Sequence, residues 1–227
     1  MLKIYGVPLS VHTRKAILAA KEKNLAYTNE PVIPFSPPPG WDRLSPTGKI
    51  PVMTTGDLQL QDSSVICAYL ERAHPNPPLY PVDTKDYVRA LWFEEFADGT
   101  LFRDVIHGLF FQQVIRPGIL KQDTDRTAIN GILHEAMPRH FGYLESALDG
   151  PYLAGGAFGI ADIAVVSNLI NYCYLGHRVE AGRFPGLARY LETHLARPSI
   201  RAALAAERVT AEGMGLDRSF VTDPATA

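Results

Sequence analysis

A proline-rich break at residues 74–81 divides the chain into two parts with different sequence patterns. The break holds four prolines, and proline can neither continue a helix nor donate to a strand ladder. Before the break, strand-like alternation is mixed with helical spacing, and after it the spacing is helical throughout. The sequence therefore predicts an α/β domain at residues 1–76, a linker at 77–85, an all-helical domain at 86–210 and a C-terminal tail at 211–227.

The α/β part has the predicted element order β-α-β, a gap, then β-β-α. Its first helix begins near Ser10, and charged residues surround the small apolar residues of that helix. The last two strands, at residues 52–55 and 58–61, flank Gly56-Asp57, which is a strong two-residue hairpin signal. The charged residues of the first helix are Arg14, Lys15, Lys21, Glu22 and Lys23.

The second part carries five stretches with helical spacing. The third is so apolar that we expect it to be the buried core helix of this domain. Asp162 falls three residues after Gly159, the spacing of a helix-capping motif, which favours a structural role for this acid. The stretches are residues 86–113, 124–148, 159–174, 184–195 and 199–207.

Composition excludes several classes of function. The net charge is −2 and no long basic run exists, so neither nucleic acid nor an anionic membrane is an expected partner. Cys67 and Cys173 form no CxxC pair, so no metal site and no disulfide framework is expected. The N-terminus lacks a signal-peptide pattern, and no apolar run approaches the ~20 residues of a membrane span, so we expect a cytoplasmic location.

Ser10 is a candidate both for capping the first helix and for chemistry. Serine is a preferred N-cap residue, and the positive end of the helix dipole also favours a bound thiolate, to which the hydroxyl could donate. Thr13 is a second hydroxyl in the same turn, and His12 is a third candidate, although a lone histidine is more often structural. Because no GxSxG motif is present, serine hydrolase chemistry is disfavoured.

A second candidate site lies around Pro51 and the helix start that follows it. Pro51 stands at the mouth of a strand, and Lys49-Ile50 before it can offer an unpaired backbone edge to a peptide-like ligand. Asp62 and Ser63 open the next helix, where a helix N-terminus binds carboxylates and an acid attracts an amino group. The same two residues are also ordinary helix caps.

Taken together, these segments resemble cytosolic glutathione S-transferases over nearly the whole chain. The resemblance implies an α/β thioredoxin-like N-terminal domain followed by an all-α C-terminal domain. It is to the serine-type classes, with a phi- or theta-like N-terminal motif. The matching segments are residues 3–10, 48–52, 61–70, 152–162 and 197–200.

The resemblance also implies the roles of individual residues. Ser10 matches the serine that activates the thiol, and Ile50 matches the residue whose backbone pairs with the cysteinyl unit of glutathione. Pro51 matches the family's cis-proline. Lys49 matches a position that can bind the glycyl end. Asp62 and Ser63 match the pair that holds the γ-glutamyl group.

Three departures from the family pattern stand out. Gly159 replaces the usual Ser or Thr at its helix cap, which predicts a weaker helix start. The proline-rich loop at residues 36–41 leaves the remaining ligands of the glycyl end open. No cysteine occupies the Ser10 position, which argues against the glutaredoxin-like classes.

The implied activity is transfer of the glutathione thiolate to an apolar electrophile, with glutathione as co-substrate and no metal. Alternatives are a glutathione-dependent peroxidase or dehalogenase, or a non-catalytic member that binds glutathione or a partner protein. We place the electrophile between the Ser10 turn and the helical domain. The residues expected to line its pocket are Leu9, His12, Phe35, His107, Phe110 and Phe111.

The resemblance further implies a homodimer, with the helix at residues 86–113 supplying much of the interface. Four aromatic residues of this helix exceed what one core stripe needs, which fits an apolar contact surface. The alternative is that all four pack inside one subunit. They are Trp92, Phe93, Phe96 and Phe102.

Overall fold

The computed structural model describes residues 1–221 and has the two-part architecture that the sequence predicts. A four-stranded sheet with helices forms the thioredoxin-like first domain, and helices alone form the second. The first-domain elements are β1 (Leu2–Tyr5), α1 (Val11–Glu22), β2 (Tyr27–Glu30), α2 (Trp41–Leu44), β3 (Val52–Thr55), β4 (Leu58–Gln61) and α3 (Ser63–Ala73).

The sheet has the strand order β2-β1-β3-β4. β1 runs parallel to β2, as a βαβ crossover requires, and antiparallel to β3. The predicted hairpin joins β3 to β4 with Thr55 opposite Leu58, and Gly56 takes the positive φ of 56° that the tight turn needs. α1 and α3 pack together, while Trp41 of α2 packs with Val32 and Val52 in a separate small cluster.

The second domain is built around one buried helix. All residues of α7 are buried, as its apolar sequence predicts, and α7 packs against both α1 and α4. α4 continues without interruption through wide π-helical turns, at Phe96–Leu101 and Arg103–Leu120. The helices of this domain are α4 (Thr84–Glu95), α5 (Arg126–Gly131), α6 (Met137–Ala147), α7 (Ile160–Tyr174), α8 (Pro185–Leu195) and α9 (Pro198–Gly213), with a π-helical turn at Ile132–Ala136 between α5 and α6.

The C-terminal region differs from its sequence prediction. α9 continues to Gly213, past the predicted helix end at residue 207 and into the predicted tail. Residues 214–221 then pack against the core, and the backbone N–H of Asp217 donates to the Tyr174 carbonyl at 2.9 Å. The rest of the predicted tail, residues 222–227, lies outside the described residues. The domain boundaries themselves stay predictions.

Gly159 permits a close contact between the linker and the start of α7. The N–H of Ile160 donates to the Leu79 carbonyl at 2.9 Å, and Asp162 accepts from the Gly159 N–H at 3.0 Å. A Cβ at residue 159 would lie 2.5 Å from the Leu79 oxygen. The linker carbonyl therefore occupies the space of a capping side chain, which explains glycine at this position and compensates for the missing cap.

We expect Gly159→Ala to lower the free energy of unfolding by about 1–3 kcal/mol, because the added methyl group would force Leu79 away from the helix start. Urea unfolding measures the change. Gly156→Ala is the matched control, since a Cβ at residue 156 meets no atom within 4 Å. Equal stability of the two variants would contradict a steric role for Gly159.

Candidate active site

A cavity of about 1270 Å³ lies between the two domains. It brings together Ser10, Lys49 and Ile50 from the first domain with the aromatic residues of the long helix. Pro51, Asp62 and Ser63 are not among its lining residues. All six residues predicted for the electrophile pocket line the cavity, namely Leu9, His12, Phe35, His107, Phe110 and Phe111.

Ser10 caps α1 and faces the cavity. Its backbone is extended, at φ −66° and ψ 129°, as an N-cap requires. Its Oγ accepts from the Thr13 N–H at 3.5 Å, a long contact, and among residues 1–221 the hydroxyl proton has no acceptor. The capping and chemical roles are thus compatible, because the hydroxyl can accept from the helix and donate to a ligand.

The backbone of Ile50 is unpaired beside Ser10. The Ile50-Pro51 peptide bond is cis, as the resemblance implies, and Asn76-Pro77 is a second cis bond. No backbone or side-chain group within residues 1–221 bonds to the N–H or C=O of Ile50. The preceding loop is held by Ser45, whose Oγ donates to the Lys49 carbonyl at 2.7 Å. A peptide-like ligand could therefore pair with Ile50.

Asp62 and Ser63 lie at the start of α3, next to the cavity. The Asp62 carboxylate accepts from the N–H groups of Ser64 and Val65 at 2.8 and 3.2 Å, so its capping role is real. Asp62 also has a φ of 77°, which is unusual for a residue other than glycine and is typical of functional sites. Ser63 is buried, with its Oγ 3.4 Å from His12 Nδ1.

Comparison with known proteins matches both domains to one family. A family model described as the glutathione S-transferase N-terminal domain matches residues 4–78, and one described as the glutathione S-transferase C-terminal domain matches residues 111–207. The chain belongs to the glutathione S-transferase family.

Individual relatives are distant. FtsZ-localized protein A from Caulobacter vibrioides is 26% identical over 178 residues, which cover 76% of this chain and 78% of that protein. The probable glutathione S-transferase GSTF2 from Oryza sativa subsp. japonica is 25% identical over 204 residues, which cover 87% of this chain and 93% of that protein. A glutathione S-transferase structure from Rhodospirillum rubrum F11 superposes with a TM-score of 0.83 at 25% identity, covering 90% of this chain and 92% of that one. The serine-type subclass stays a prediction.

Among the three candidates for thiol activation, Thr13 is set apart by its position. It is fully buried and does not line the cavity. Its Oγ1 would lie 2.4 Å from a Cβ placed on Gly6, so the hydroxyl packs against the Gly6 backbone. Ser10 and His12 are the two candidates that a ligand in this glutathione S-transferase cavity can reach.

His12 is held by two groups of the long helix. Its Nδ1 lies 3.5 Å from Asp98 Oδ1, and its ring centroid lies 4.5 Å from that of Phe102. Asp98 also accepts from the buried Lys15 ammonium, which donates to Glu94 at 3.0 Å and to Ser64 at 2.8 Å as well. This network joins α1 and α3 of the first domain to the long helix of the second.

The network controls the charges beside the site. Burial alone would lower the pKa of Lys15, but Asp98 and Glu94 outweigh it and raise this pKa, so the ammonium stays charged. Burial alone would raise the pKa of Asp98, but the His12 and Lys15 contacts lower it to about 2. Asp98 is therefore a fixed negative charge next to His12.

Arg14 forms a second buried connection between the domains. Its guanidinium donates to both oxygens of Glu207 at 2.6 and 2.8 Å, and to Asn171 Oδ1 at 2.8 Å. Asn171 in turn donates to the carbonyl of Leu9 at 3.2 Å, which fixes the residue before Ser10. Arg14 and Lys15 are among the charged residues that surround the apolar residues of α1 in the sequence, and the second domain buries both.

Several cavity residues gave no signal in the sequence. They lie on or just after helices that are far apart in the chain, so no local spacing could identify them. Within residues 1–221, no cluster of three or more potential metal-ligating side chains is present, and no helix is long and apolar enough to cross a membrane. The unanticipated lining residues include Gln113, Asn171, Tyr174, Leu175, Thr210, Met214 and Leu216.

We expect Asp98→Asn to lower stability near neutral pH by roughly 2 kcal/mol and to have little effect near pH 2. The pKa of Asp98 is about 2 in the folded state, below its ordinary value of 3.8. Its contribution to stability is therefore complete above about pH 4 and is lost as the pH falls through about 2.

Urea unfolding across this pH range measures the effect. Asp123→Asn, at an exposed position, is the control that keeps the change of residue type the same. If the stability curves of Asp98→Asn and the unmodified protein run parallel at all pH values, the assigned role of Asp98 is wrong.

Proposed function

We propose that the protein is a glutathione transferase that joins the glutathione thiolate to an apolar electrophile. One observation carries the proposal. Within residues 1–221 the Ser10 hydroxyl proton and the Ile50 backbone have no partner, and both groups share a cavity with the aromatic wall formed by Phe110 and Phe111. Membership of the glutathione S-transferase family indicates glutathione as the peptide that binds the Ser10 hydroxyl and the Ile50 backbone. The aromatic wall suits the second substrate.

Glutathione lies across the first domain in this proposal. The cysteinyl unit pairs with the backbone of Ile50, and the glycyl carboxylate lies near Lys49. The γ-glutamyl carboxylate meets Ser63 and the N-terminus of α3, while its amino group meets Asp62. Asp62 accepts both recorded capping bonds through Oδ1, which leaves Oδ2 for the amino group.

Ser10 then stabilises the thiolate. Its hydroxyl donates to the sulfur, and the N-terminus of α1 favours the negative charge. The sulfur attacks the electrophilic carbon, so that an S–C bond forms and the electron pair passes to a leaving group or an adjacent carbonyl. Phe110 and Phe111 hold the apolar electrophile and exclude water.

We expect Ser10→Ala to lower kcat by about ten- to a hundredfold and to raise the pKa of the bound thiol, because one charge-assisted hydrogen bond is lost. Ultraviolet absorption of the thiolate, titrated against pH, measures that pKa. Ser146→Ala, on the exposed surface of α6, is the control. An unchanged thiol pKa in folded Ser10→Ala would transfer the role to His12.

A second candidate function is a non-catalytic member that binds a protein partner. The similarity to FtsZ-localized protein A, whose name places it with FtsZ, favours this candidate. Calorimetry with glutathione, run beside a turnover assay on a panel of electrophiles, separates the two functions. Binding without turnover would support the non-catalytic candidate, and a panel including peroxides and haloalkanes also tests the peroxidase and dehalogenase alternatives.

We also propose a homodimer in the cytoplasm, with α4 in the interface. Phe93 and Phe96 are buried inside the subunit, and Phe102 packs beside His12, so these three do not form the predicted contact surface. Trp92 and Val88 remain exposed on α4, at 53% and 59%, and Val65 of α3 is 49% exposed. These apolar side chains fit an interface between copies.

Sedimentation equilibrium at micromolar concentration should give twice the subunit mass of 25.0 kDa. Trp92→Glu should shift this equilibrium toward the monomer, because the interface would then have to bury a charge. Val209→Glu, at an exposed position on α9, is the control. A 25.0 kDa species for the unmodified protein would rule out the dimer.

A further inference from the structure

The cavity has room for a second ligand beside glutathione. Pockets for a single drug-sized molecule measure roughly 300–1000 Å³. This cavity of about 1270 Å³ includes Ser10, Lys49 and Ile50, which the proposed function assigns to glutathione. Beyond Phe110 and Phe111 it extends to the ends of α7 and α9. We name this extension the far lobe and define it by Gln113, Leu175, Thr210, Met214 and Leu216.

Within residues 1–221, the far lobe has no lysine or arginine available to a ligand. Of the residues described as lining the whole cavity, Lys49 is the one lysine or arginine, and it lies at the glutathione end. Asp217 also lines the cavity, but its carboxylate is paired with the Arg178 guanidinium, with 2.6 Å between Oδ2 and Nη2. Since a buried carboxylate or sulfate requires a partner, anionic substrates are excluded from the far lobe.

Gln113 supplies one directed polar group. Its Nε2 lies 3.0 Å from Nε2 of His177, and burial lowers the pKa of His177, so the neutral ring accepts a hydrogen bond from the amide. Gln113 is thereby held with its Oε1 as a free acceptor, to which no group within residues 1–221 donates. A ligand with a hydroxyl or N–H at its end would satisfy this oxygen.

We propose that the far lobe binds the distal end of an uncharged electrophile with two aromatic rings, and that Gln113 accepts a hydrogen bond from a hydroxyl on the distal ring. The inference rests on the proposed transferase function and adds the class of the second substrate. The reactive carbon lies at Ser10, one ring packs against Phe110, and the other reaches Leu175 and Leu216.

Chalcones provide matched probes of this class. The glutathione sulfur adds to the β-carbon of the enone, the π electrons move to the carbonyl oxygen, and the resulting enolate takes a proton from water at the α-carbon. The three probes are unsubstituted chalcone, para-hydroxychalcone and para-carboxychalcone, and the last two carry their substituent on the carbonyl-linked ring. Each kcat/KM is divided by the uncatalysed rate with glutathione, which removes intrinsic differences in reactivity.

We expect para-hydroxychalcone to be the best of the three substrates and para-carboxychalcone to be the worst. Gln113→Leu should remove the advantage of the hydroxyl, lowering the ratio of hydroxy to unsubstituted substrate by about three- to tenfold, the effect of one neutral hydrogen bond. Gln122→Leu, at an exposed position outside the cavity, should keep the ratio of the unmodified protein. Thr210→Phe, which fills the far lobe from α9, should reduce turnover of chalcone more than that of one-ring chlorodinitrobenzene.

Two results would overturn the assignment while leaving the transferase function intact. One is turnover of chlorodinitrobenzene without turnover of any chalcone, and the other is a Gln113→Leu variant that keeps the hydroxyl preference. If no electrophile reacts, the transferase function fails. Calorimetry with unreactive para-hydroxydihydrochalcone then tests whether the far lobe binds a ligand with two aromatic rings. Binding that weakens in Gln113→Leu supports the site, and absence of binding overturns it.

Discussion

The buried ion pair between Arg14 and Glu207 is the interaction on which the geometry of the site depends. Both side chains are almost completely buried, so each charge has lost its hydration and must be compensated by the other. The bidentate contact provides this compensation, and the Ser167 carbonyl, Asn171 Oδ1 and the Leu9 carbonyl accept from the remaining donors. Because Arg14 belongs to α1 and Glu207 to α9, the pair fixes the relative position of the two domains.

That fixed position creates the cavity. Asn171 contacts both Arg14 and the Leu9 carbonyl, so the turn that presents Ser10 is tied to the same cluster. Lys15, the next residue along α1, connects in parallel to Glu94 and Asp98 of the second domain. Neither domain alone would provide these partners. If the domains were separated, Arg14 and Lys15 would lose the acidic groups that compensate their charges.

Local sequence predicted much of the fold. The Gly56-Asp57 turn, the apolar run of α7 and the proline-rich break each act within a few residues, so their outcome follows from backbone chemistry and spacing. The sequence did not predict how the second domain changes the environment of a side chain. Arg14 and Lys15 are charged residues of α1, and their burial depends on partners some 80 to 193 residues away along the chain.

The sequence by itself determined the two-domain architecture and the family, and it predicted Ser10, Ile50 and Ser63 as site residues. It did so because strand pairing, helix capping and proline geometry are local properties. Tertiary structure alone decided the shape and charge of the cavity, the burial of Thr13 away from it, and the orientation of Gln113, whose Oε1 accepts from no group within residues 1–221. Those properties arise where helix ends that are distant in the chain meet, and no local spacing encodes such a meeting.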